Sequence, residues 1–278
     1  MQLIKYFHEL SLHPKNAKEL KGLILQLAVQ GKLTRDFRAV HPELCTGSHS
    51  ASVLMQQIEA EKARLIKEKK IKKEIPLAPI QPNEIPKDSP LGWSLVKLGD
   101  IGDWGAGATP SRSKSIYYEG NINWFKSGEL NNGLIDFDST EKISELALKE
   151  VSLRLNQPGD VLIAMYGATI GKTGLLSVSG TTNQAVCACT CFSCIDNLYM
   201  HLLLKALKRA FIEQGEGGAQ PNISRVKIRN TVISLPPLPE QKAIVETVNQ
   251  LFKEVEQLEQ LTVERIQLKE QFAISALN

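Results

Sequence analysis

The carboxyl-terminal stretch constrains the fold of this chain more than any other segment. Residues 240–277 contain neither proline nor glycine, and they directly follow the cluster Pro236-Pro237-Leu238-Pro239. Because these two residue types are the ones that most readily interrupt helices, the stretch predicts one continuous helix. At roughly 1.5 Å per residue such a helix is about 57 Å long.

Apolar side chains recur along this predicted helix at steps of four and three residues, the spacing of a coiled-coil seam. The stripe consists of Ile244, Val248, Leu251, Val255, Leu258, Leu261, Leu268 and Phe272. A helix cannot bury such a stripe against itself. We therefore expect a partner helix, and a second copy of the chain is its simplest source.

Two shorter helices are predicted near the amino terminus. The first covers residues 18–30 and stops at Gly31, and the second covers roughly residues 53–73 with Ser52 as its cap. The second ends in a basic run, which suits either a solvated helix end or contact with phosphates. The run comprises Lys62, Arg64, Lys67, Lys69, Lys70, Lys72 and Lys73. Five prolines in residues 76–90 then predict an extended linker.

The middle of the chain has short β-type runs separated by glycine-rich turns. Strands are predicted at 121–126, 160–165, 174–178, 185–192 and 232–235, and helices near 142–152 and 196–213. The fold class is therefore α+β. We expect an N-terminal helical segment (1–75), a proline-rich linker (76–92), one mixed α/β domain (93–238) and a long coiled-coil-forming helix (239–278).

The composition excludes several classes of protein. Hydrophobic residues make up 42% and charged residues 23% of the chain, which is ordinary globular usage. No apolar run approaches the ~20 residues of a membrane-spanning helix, and the first residues lack the apolar core of a signal peptide. Five cysteines without a secretory signal point to a reducing cytoplasm.

Charge is distributed unevenly along the chain. The first 92 residues carry 15 Lys and Arg against 10 Asp and Glu, whereas residues 93–238 carry 14 against 13. Any contact of the middle domain with nucleic acid must therefore come from the placement of individual charges rather than from bulk attraction.

A glycine-rich loop in the middle domain resembles a nucleotide-binding motif only superficially. Three residues separate Gly167 from Gly171-Lys172-Thr173, where a P-loop has four. The residues that follow predict a strand, although a P-loop enters a helix. We therefore reject ATP or GTP binding by this loop, which can still approach a phosphate backbone closely.

Four cysteines lie close together at Cys187, Cys189, Cys191 and Cys194. Structural zinc sites generally pair two C-x₂₋₄-C units, and only one such unit is present. Three of the four recur at a period of two, so we favour burial on one face of a strand over a metal site.

Recognisable catalytic motifs are missing from the sequence. The five histidines lack metal-ligand spacing, and no nucleophile elbow occurs. The Asn/Asp-Pro-Pro-aromatic motif, with which an amino-methyltransferase grips a flipped base, is not present either. We expect a chain that catalyses no reaction by itself.

An internal repeat links the two ends of the chain. Residues 19–29 align with residues 267–277 at a constant offset of 248, so that Leu20 matches Leu268 and Lys21 matches Lys269. Any two amphipathic helices can match this well by chance. The alternative is that the two segments are equivalent helix ends of one repeating unit.

Short motifs in a fixed order resemble the specificity subunit of Type I restriction–modification enzymes over nearly the whole sequence. They are Leu25 to Leu33, Ile58 to Glu68 with the following basic run and linker, Gly92-Trp93, Leu98 to Ile101, Gly107 to Pro110, Pro158 to Ile163, Gly167 to Gly171, Asn183 to Ala185, Gln220 to Ile223 and Leu235 to Gln241. The family's subunit resembles two copies of this arrangement, so this chain is similar to half a subunit, either natural or truncated.

The resemblance implies recognition of double-stranded DNA without catalysis. A target recognition domain would read one half of a split target, and the long helices would set the spacing between the halves and dock methyltransferase subunits. S-adenosylmethionine, ATP and Mg are expected only on the methyltransferase and endonuclease/translocase partners, with no cofactor and no metal on this chain. Two half subunits, as a homodimer, would then direct these partners to a bipartite target.

Side-chain type suggests which loop residues of the middle domain contact DNA. Arg and Lys suit phosphates and guanine edges, and Asn and Gln suit adenine edges. The candidates are Arg112, Lys114, Tyr117, Tyr118, Lys126, Tyr166, Lys172, Asn183, Gln184, Gln220, Asn222 and Arg225. We expect Gly107 and Pro110 to shape the backbone, and Trp93 and Trp124 to lie in the core.

One alternative function remains open at this stage. A non-enzymatic coiled-coil scaffold, without sequence-specific reading of DNA, would also explain the long helix. It would not explain the glycine-rich domain with its Tyr, Asn and Gln side chains, which is why we favour the DNA reader.

Overall fold

The computed structural model describes residues 16–46, 51–86, 88–215 and 222–275 of the chain. Its helices are α1 (Asn16–Val29), α2 (Arg35–Val40), α3 (Glu43–Thr46), α4 (Ala51–Lys67), α5 (Glu145–Glu150), α6 (Asn197–Ala206), α7 (Lys208–Gly215), α8 (Arg225–Asn230) and α9 (Leu238–Ser275). Its strands are β1 (Ser94–Lys97), β2 (Gly102–Ala106), β3 (Ile122–Phe125), β4 (Leu134–Ile135), β5 (Lys142–Ile143), β6 (Val161–Ala164), β7 (Thr173–Leu176), β8 (Thr181–Thr182), β9 (Val186–Cys191) and β10 (Val232–Leu235). The predicted α+β class is confirmed.

The strands form three sheets. The largest has the order β2-β9-β6-β7-β4 and is antiparallel except for the β4–β7 pair. A three-stranded sheet, β5-β3-β8, lies beside it, with β3 and β8 parallel. The strands β1 and β10 pair antiparallel, Ser94 opposite Leu235, so the beginning and the end of the middle domain meet.

One hydrophobic core joins the amino-terminal helices, the largest sheet and α9. Leu20 of α1, Trp93 before β1 and Val248 of α9 all belong to it. Trp93 and Trp124 are buried, as the sequence predicts. The segments separated by the proline-rich linker therefore share a core. In its described residues the linker forms no strand and only a short 3₁₀ turn at Pro82–Glu84.

The stripe of the long helix is covered differently from the prediction. Ile244, Val248 and Val255 are fully buried, because α1 and α6 of the same chain pack against the first half of α9. An ion pair between Lys21 Nζ and Glu256 Oε1, 2.8 Å long, closes the edge of this contact. The expectation that the whole stripe needs a second copy is therefore wrong for this half.

The distal half of the stripe remains uncovered. Leu261, Leu268 and Phe272 are exposed, whereas Leu251 and Leu258 are half-buried. The contact with α1 and α6 thus covers only the beginning of the predicted seam. Helix α1 packs on α9 of the same chain.

Helix α4 is shorter than the predicted 53–73. It ends at Lys67, after which Lys69 adopts a φ of 57° and Lys70 N donates to Leu65 O at 2.9 Å. Glycine usually occupies the left-handed position at a helix end, so the sequence, with lysine there, did not predict this end. Ser52 lies inside α4, which the structure describes from Ala51 onward.

The cysteines of β9 pack in the core. Cys187 and Cys189 face the large core, whereas Val186 and Ala188 face a second apolar cluster around Phe125. Burial raises the pKa of the Cys187 thiol to about 12, so the thiol stays protonated as a small apolar group. This confirms the prediction that alternate cysteines share one buried strand face.

Candidate nucleic-acid interface

Three connections meet at one end of the largest sheet. Strand β9 begins where β2 and β6 end, since Cys187 lies opposite Ala106 and Val186 lies opposite Ala164. Two backbone hydrogen bonds extend these pairs into the loops, from Gly107 N to Val186 O (3.0 Å) and from Met165 N to Ala185 O (2.7 Å). The loops after β2 and β6 and the turn before β9 are therefore neighbours.

The end of β3 joins the same group of loops. Strand β3 runs parallel to β8, and Asn183 N donates to Phe125 O at 3.0 Å. Lys126 follows directly on β3 and thus lies beside the turn before β9. Residues from four separated segments of the sequence are brought together on the rigid end of a sheet.

Gly107 and Pro110 shape the backbone of the first loop, as predicted. A Cβ atom at Gly107 would lie 2.1 Å from the carbonyl oxygen of Thr182, so no larger residue fits. Pro110 is buried, and its carbonyl accepts a hydrogen bond of 2.6 Å from Tyr118 Oη. The backbone path of the loop is thereby held in place.

Arg112 lies in an aromatic and acidic cradle at this end of the sheet. Its Nη1 atom lies 2.6 Å from Glu141 Oε2. Its guanidinium carbon lies 4.2 Å from the centroid of the Tyr118 ring and 5.5 Å from that of Trp124. Trp124 is itself fixed, since its Nε1 donates to Ala108 O at 3.1 Å.

Lys126 shares the same carboxylate. Its Nζ lies 2.5 Å from Glu141 Oε1 and 5.9 Å from the centroid of Trp124. Hydrogen bonds from Arg112 first and Lys126 second lower the pKa of Glu141 to about 2. The carboxylate is therefore ionised at neutral pH, and the cradle as a whole keeps one net positive charge.

Tyr117 is buried rather than available to a ligand. Its hydroxyl donates to Glu150 Oε2 and accepts a hydrogen bond of 2.8 Å from Lys114 Nζ. Lys114 Nζ also lies 3.3 Å from Glu150 Oε2, while most of the lysine side chain stays exposed. The assignment of Tyr117 to a DNA contact is corrected: it fixes the first loop to the end of α5.

The turn before β9 carries two predicted polar residues. Gln184 is exposed, and its Oε1 atom accepts a hydrogen bond from the Thr109 hydroxyl of the first loop. Asn183 uses its Oδ1 atom to accept a hydrogen bond of 3.1 Å from Ala185 N, which folds the turn. The side chain of Gln184 therefore joins two loops of the cluster.

The loop after β6 forms the second part of the surface. Tyr166 is exposed and forms an isolated antiparallel bridge with Asn222, and Ile223 N donates to Met165 O at 2.9 Å. Lys172 ends the loop, where Thr169 O accepts from its backbone N at 2.8 Å. The strand that follows confirms that this loop does not enter a helix. Gln220 lies outside the described residues.

Arg225 begins α8, and its guanidinium contacts an acidic residue at the start of the linker and a strand carbonyl. Its Nη1 atom lies 2.8 Å from Glu74 Oε1 and 2.8 Å from the carbonyl oxygen of Trp104, in the middle of β2. Arg229 pairs with the other oxygen of Glu74. Arg225 therefore ties the start of the linker to the edge strand of the large sheet. Because 38% of its side chain is exposed, its assignment to a DNA contact stays a prediction.

The basic run after α4 is largely uncompensated. Arg64 and Lys70 pair with Glu68 at 3.3 Å and 2.8 Å. Among the described residues no acidic group lies within 4.0 Å of the other lysines of the run. These are Lys62, Lys67, Lys69, Lys72 and Lys73. Both interpretations of the run, a solvated helix end and a phosphate contact, remain compatible with this geometry.

The acidic residues of the surface could not be found from the sequence. Glu141 and Glu150 contact Arg112 and Lys114 only because the loops converge in space. Neither belongs to a motif or to a periodic pattern. The cationic residues, by contrast, were identified from their side-chain type and their predicted loops.

Within the described ranges, no three His, Cys, Asp or Glu side chains are grouped closely enough to hold a metal ion. Of the helices in those ranges, none combines the length and the apolar character that crossing a membrane requires.

Comparison with known proteins shows the family to which the chain is similar. Residues 90–265 match the family model described as a Type I restriction modification DNA specificity domain. The chain is 28% identical over 272 residues to the Type I restriction enzyme EcoEI specificity subunit of Escherichia coli, covering 92% of this chain and 44% of that subunit. It is 25% identical over 261 residues to the EcoAI specificity subunit of Escherichia coli, covering 91% and 42%.

Solved structures share the fold. A chain from a structural study of the assembly and conformational transition of the type I R-M system superposes with a TM-score of 0.53 at 22% identity, covering 80% of this chain and 54% of that one. The HsdS subunit from Thermoanaerobacter tengcongensis superposes with a TM-score of 0.50 at 21% identity, covering 76% and 51%. The chain spans less than half the length of the two E. coli subunits.

Proposed function

The chain belongs to the Type I restriction modification DNA specificity family, and on this premise we propose that it is a non-catalytic DNA reader. It recognises a defined sequence in double-stranded DNA and directs methyltransferase and endonuclease/translocase subunits to that target in the cytoplasm. S-adenosylmethionine, ATP and Mg are bound by those partners and not by this chain.

The convergence of cationic and polar side chains on one rigid end of the large sheet carries this proposal. Separate loops bring four such residues to this end of the sheet, namely Arg112, Lys126, Lys172 and Gln184. Arg and Gln side chains read base edges, and Lys side chains contact phosphates. A coiled-coil scaffold has no need of such a surface, so the reader is favoured over the scaffold.

Selection from a pool of random DNA duplexes tests the proposal directly. The full chain is expected to enrich a defined sequence, and Lys172→Ala is expected to weaken binding to the enriched duplex by a few-fold. The matched control is Lys149→Ala, since Lys149 is exposed on α5 and makes only a long ion pair of 3.9 Å with Glu145. A chain that enriches no sequence from the pool would be a scaffold and not a reader.

We further propose that two copies of the chain assemble through the distal half of α9. Leu261, Leu268 and Phe272 are exposed beyond the part of α9 that α1 covers. Burying side chains of this size stabilises an interface by ~1.5–3 kcal/mol each. An antiparallel two-fold pair of distal helices puts one reading surface at each end of the rod, which suits a bipartite inverted-repeat target.

The assembly is tested by light scattering at tens of micromolar. The unchanged chain is expected to have twice the mass of one copy, and the double variant Leu268→Lys/Phe272→Lys is expected to be monomeric. Leu146→Lys is the control, because Leu146 is also apolar and exposed but lies on α5. A monomeric mass for the unchanged chain would rule out the dimer. The distal half of α9 would then be covered by a different partner.

A further inference from the structure

We infer that Glu141 is a positioning residue that holds Arg112 for reading a guanine base in the DNA target. The inference rests on the proposed reading of DNA and adds a role for one acidic residue within the reading surface. It concerns the cradle of Arg112, Tyr118, Trp124, Lys126 and Glu141, which we call the Arg112 cradle.

Three contacts restrict the Arg112 side chain. Glu141 Oε2 lies 2.6 Å from Nη1, the Tyr118 ring lies under the guanidinium at 4.2 Å, and Trp124 flanks it at 5.5 Å. The two rings meet edge to face at 75°, with their centroids 5.9 Å apart. Each wall is anchored in turn, Tyr118 by the carbonyl of Pro110 and Trp124 by the carbonyl of Ala108.

Despite these contacts, Arg112 remains accessible to a ligand. Its side chain is 58% exposed, against 33% for Lys126. A planar guanidinium that is already oriented loses little conformational entropy when it meets a planar acceptor pair. The O6 and N7 atoms of guanine in the major groove are such a pair, and the planar guanidinium can donate to both at once.

Glu141 is the unexpected member of the cradle. A carboxylate that faces DNA repels the phosphates, so its presence does not serve affinity. It does join two cations, because Oε1 contacts Lys126 and Oε2 contacts Arg112. Lys126 thereby holds the carboxylate in place, and the carboxylate holds Arg112. The arrangement orients the guanidinium of Arg112 and lowers the local positive charge. Orientation is what reading a base requires, whereas contact with a phosphate requires charge.

The test compares base preference with overall affinity. The full chain is first used to enrich a duplex from a random pool, and binding is then measured to that duplex and to versions with one base pair changed. Arg112→Lys keeps the positive charge but removes the planar pair of N–H donors of the guanidinium. It is expected to lower the preference for one G·C pair by roughly 5- to 150-fold. The salt dependence of binding is expected to stay unchanged, because the net charge is the same.

Glu141 variants separate positioning from charge. Glu141→Ala is expected to lose the preference at the same G·C pair while binding of unrelated duplexes becomes tighter. Glu141→Gln keeps an oxygen acceptor for Arg112 and is expected to retain most of the preference, which a purely electrostatic role would not allow. Glu145→Gln is the matched control, since Glu145 is exposed on α5 outside the cradle.

The outcomes distinguish this inference from the proposed function. If the unchanged chain enriches no sequence, both the reader and the cradle's role are refuted. If it enriches a target but Arg112→Lys leaves every base preference intact, the chain is a reader and the inference about the cradle is wrong. A preference that survives in Glu141→Ala, with circular dichroism like that of the unchanged chain, would likewise overturn the positioning role.

Discussion

Replacing Glu240 by leucine is expected to lower the free energy of unfolding by ~3–5 kcal/mol, the usual consequence of removing one member of a buried ion pair. Glu240 is fully buried in the first turn of α9. Its Oε2 accepts a hydrogen bond of 2.8 Å from Trp93 Nε1, and its Oε1 accepts from the Thr34 hydroxyl at 2.6 Å and from Arg38 Nη1. One carboxylate thus connects three distant segments of the chain.

The decrease in the free energy of unfolding is expected to be large because the groups that bind Glu240 are shielded from water. Arg38 is largely buried, and it also donates from Nη2 to the carbonyl oxygen of Gly31 at 2.6 Å. Without Glu240 its charge is uncompensated, and the indole N–H of the buried Trp93 loses its acceptor. The double variant Arg38→Met/Glu240→Leu is expected to recover part of the loss, since it removes both charges.

Chemical denaturation of the full chain measures these differences. Glu246→Leu is the matched control, because Glu246 lies on the same helix and is exposed. Its effect is expected to stay within ~0.5 kcal/mol, as for most surface substitutions. Equal denaturation midpoints for the Glu240→Leu and Glu246→Leu variants would show that the buried carboxylate does not hold α9 to the amino-terminal helices.

Affinity for the selected DNA duplex is expected to fall by ~10³-fold or more between 50 and 200 mM salt, if about six phosphates are contacted. Neutralising phosphates releases condensed counterions, and this release is opposed by added salt. The middle domain is nearly neutral, so the effect must come from a few placed cations such as Lys172. Lys172→Ala is expected to lower the salt slope by about one.

The same measurement resolves the two interpretations of the basic run after α4. If Lys72 and Lys73 contact phosphates, Lys72→Ala/Lys73→Ala lowers the slope by about two, whereas a solvated helix end leaves it unchanged. Arg225→Ala serves as a contrast, because Arg225 pairs with Glu74 and is expected to affect stability rather than the slope. An affinity that does not change with salt would contradict phosphate contact altogether.

Features that depend on residues close together in the sequence were predictable from it. The long helix and the strands β3, β6, β7, β9 and β10 follow from the placement of proline and glycine and from the alternation of apolar residues. The burial of Cys187 and Cys189 follows from their period of two. The loop at Gly167 was recognised as different from a P-loop because its spacing and the strand after it are local properties.

Side-chain type selected cations that the fold brings to one end of the largest sheet, but it did not show their roles. Arg112 and Lys126 were found because their residue types suit DNA and their segments predict loops. Tyr117 and Arg225 have equally suitable types, yet the fold uses them to fix the first loop and the linker. Residue type limits what a side chain can bind, whereas its neighbours decide what it does bind.

The sequence by itself determined the elements of this protein and the chemistry available to it, because both depend on residues close together in the chain. Only the tertiary structure decided which partner covers each apolar stripe and which charges meet. The α9 stripe predicted a partner helix, and the fold supplies α1 and α6 for its first half. Glu141 and Glu240 have no pattern of their own, and they acquire their roles from residues that folding brings within hydrogen-bonding distance.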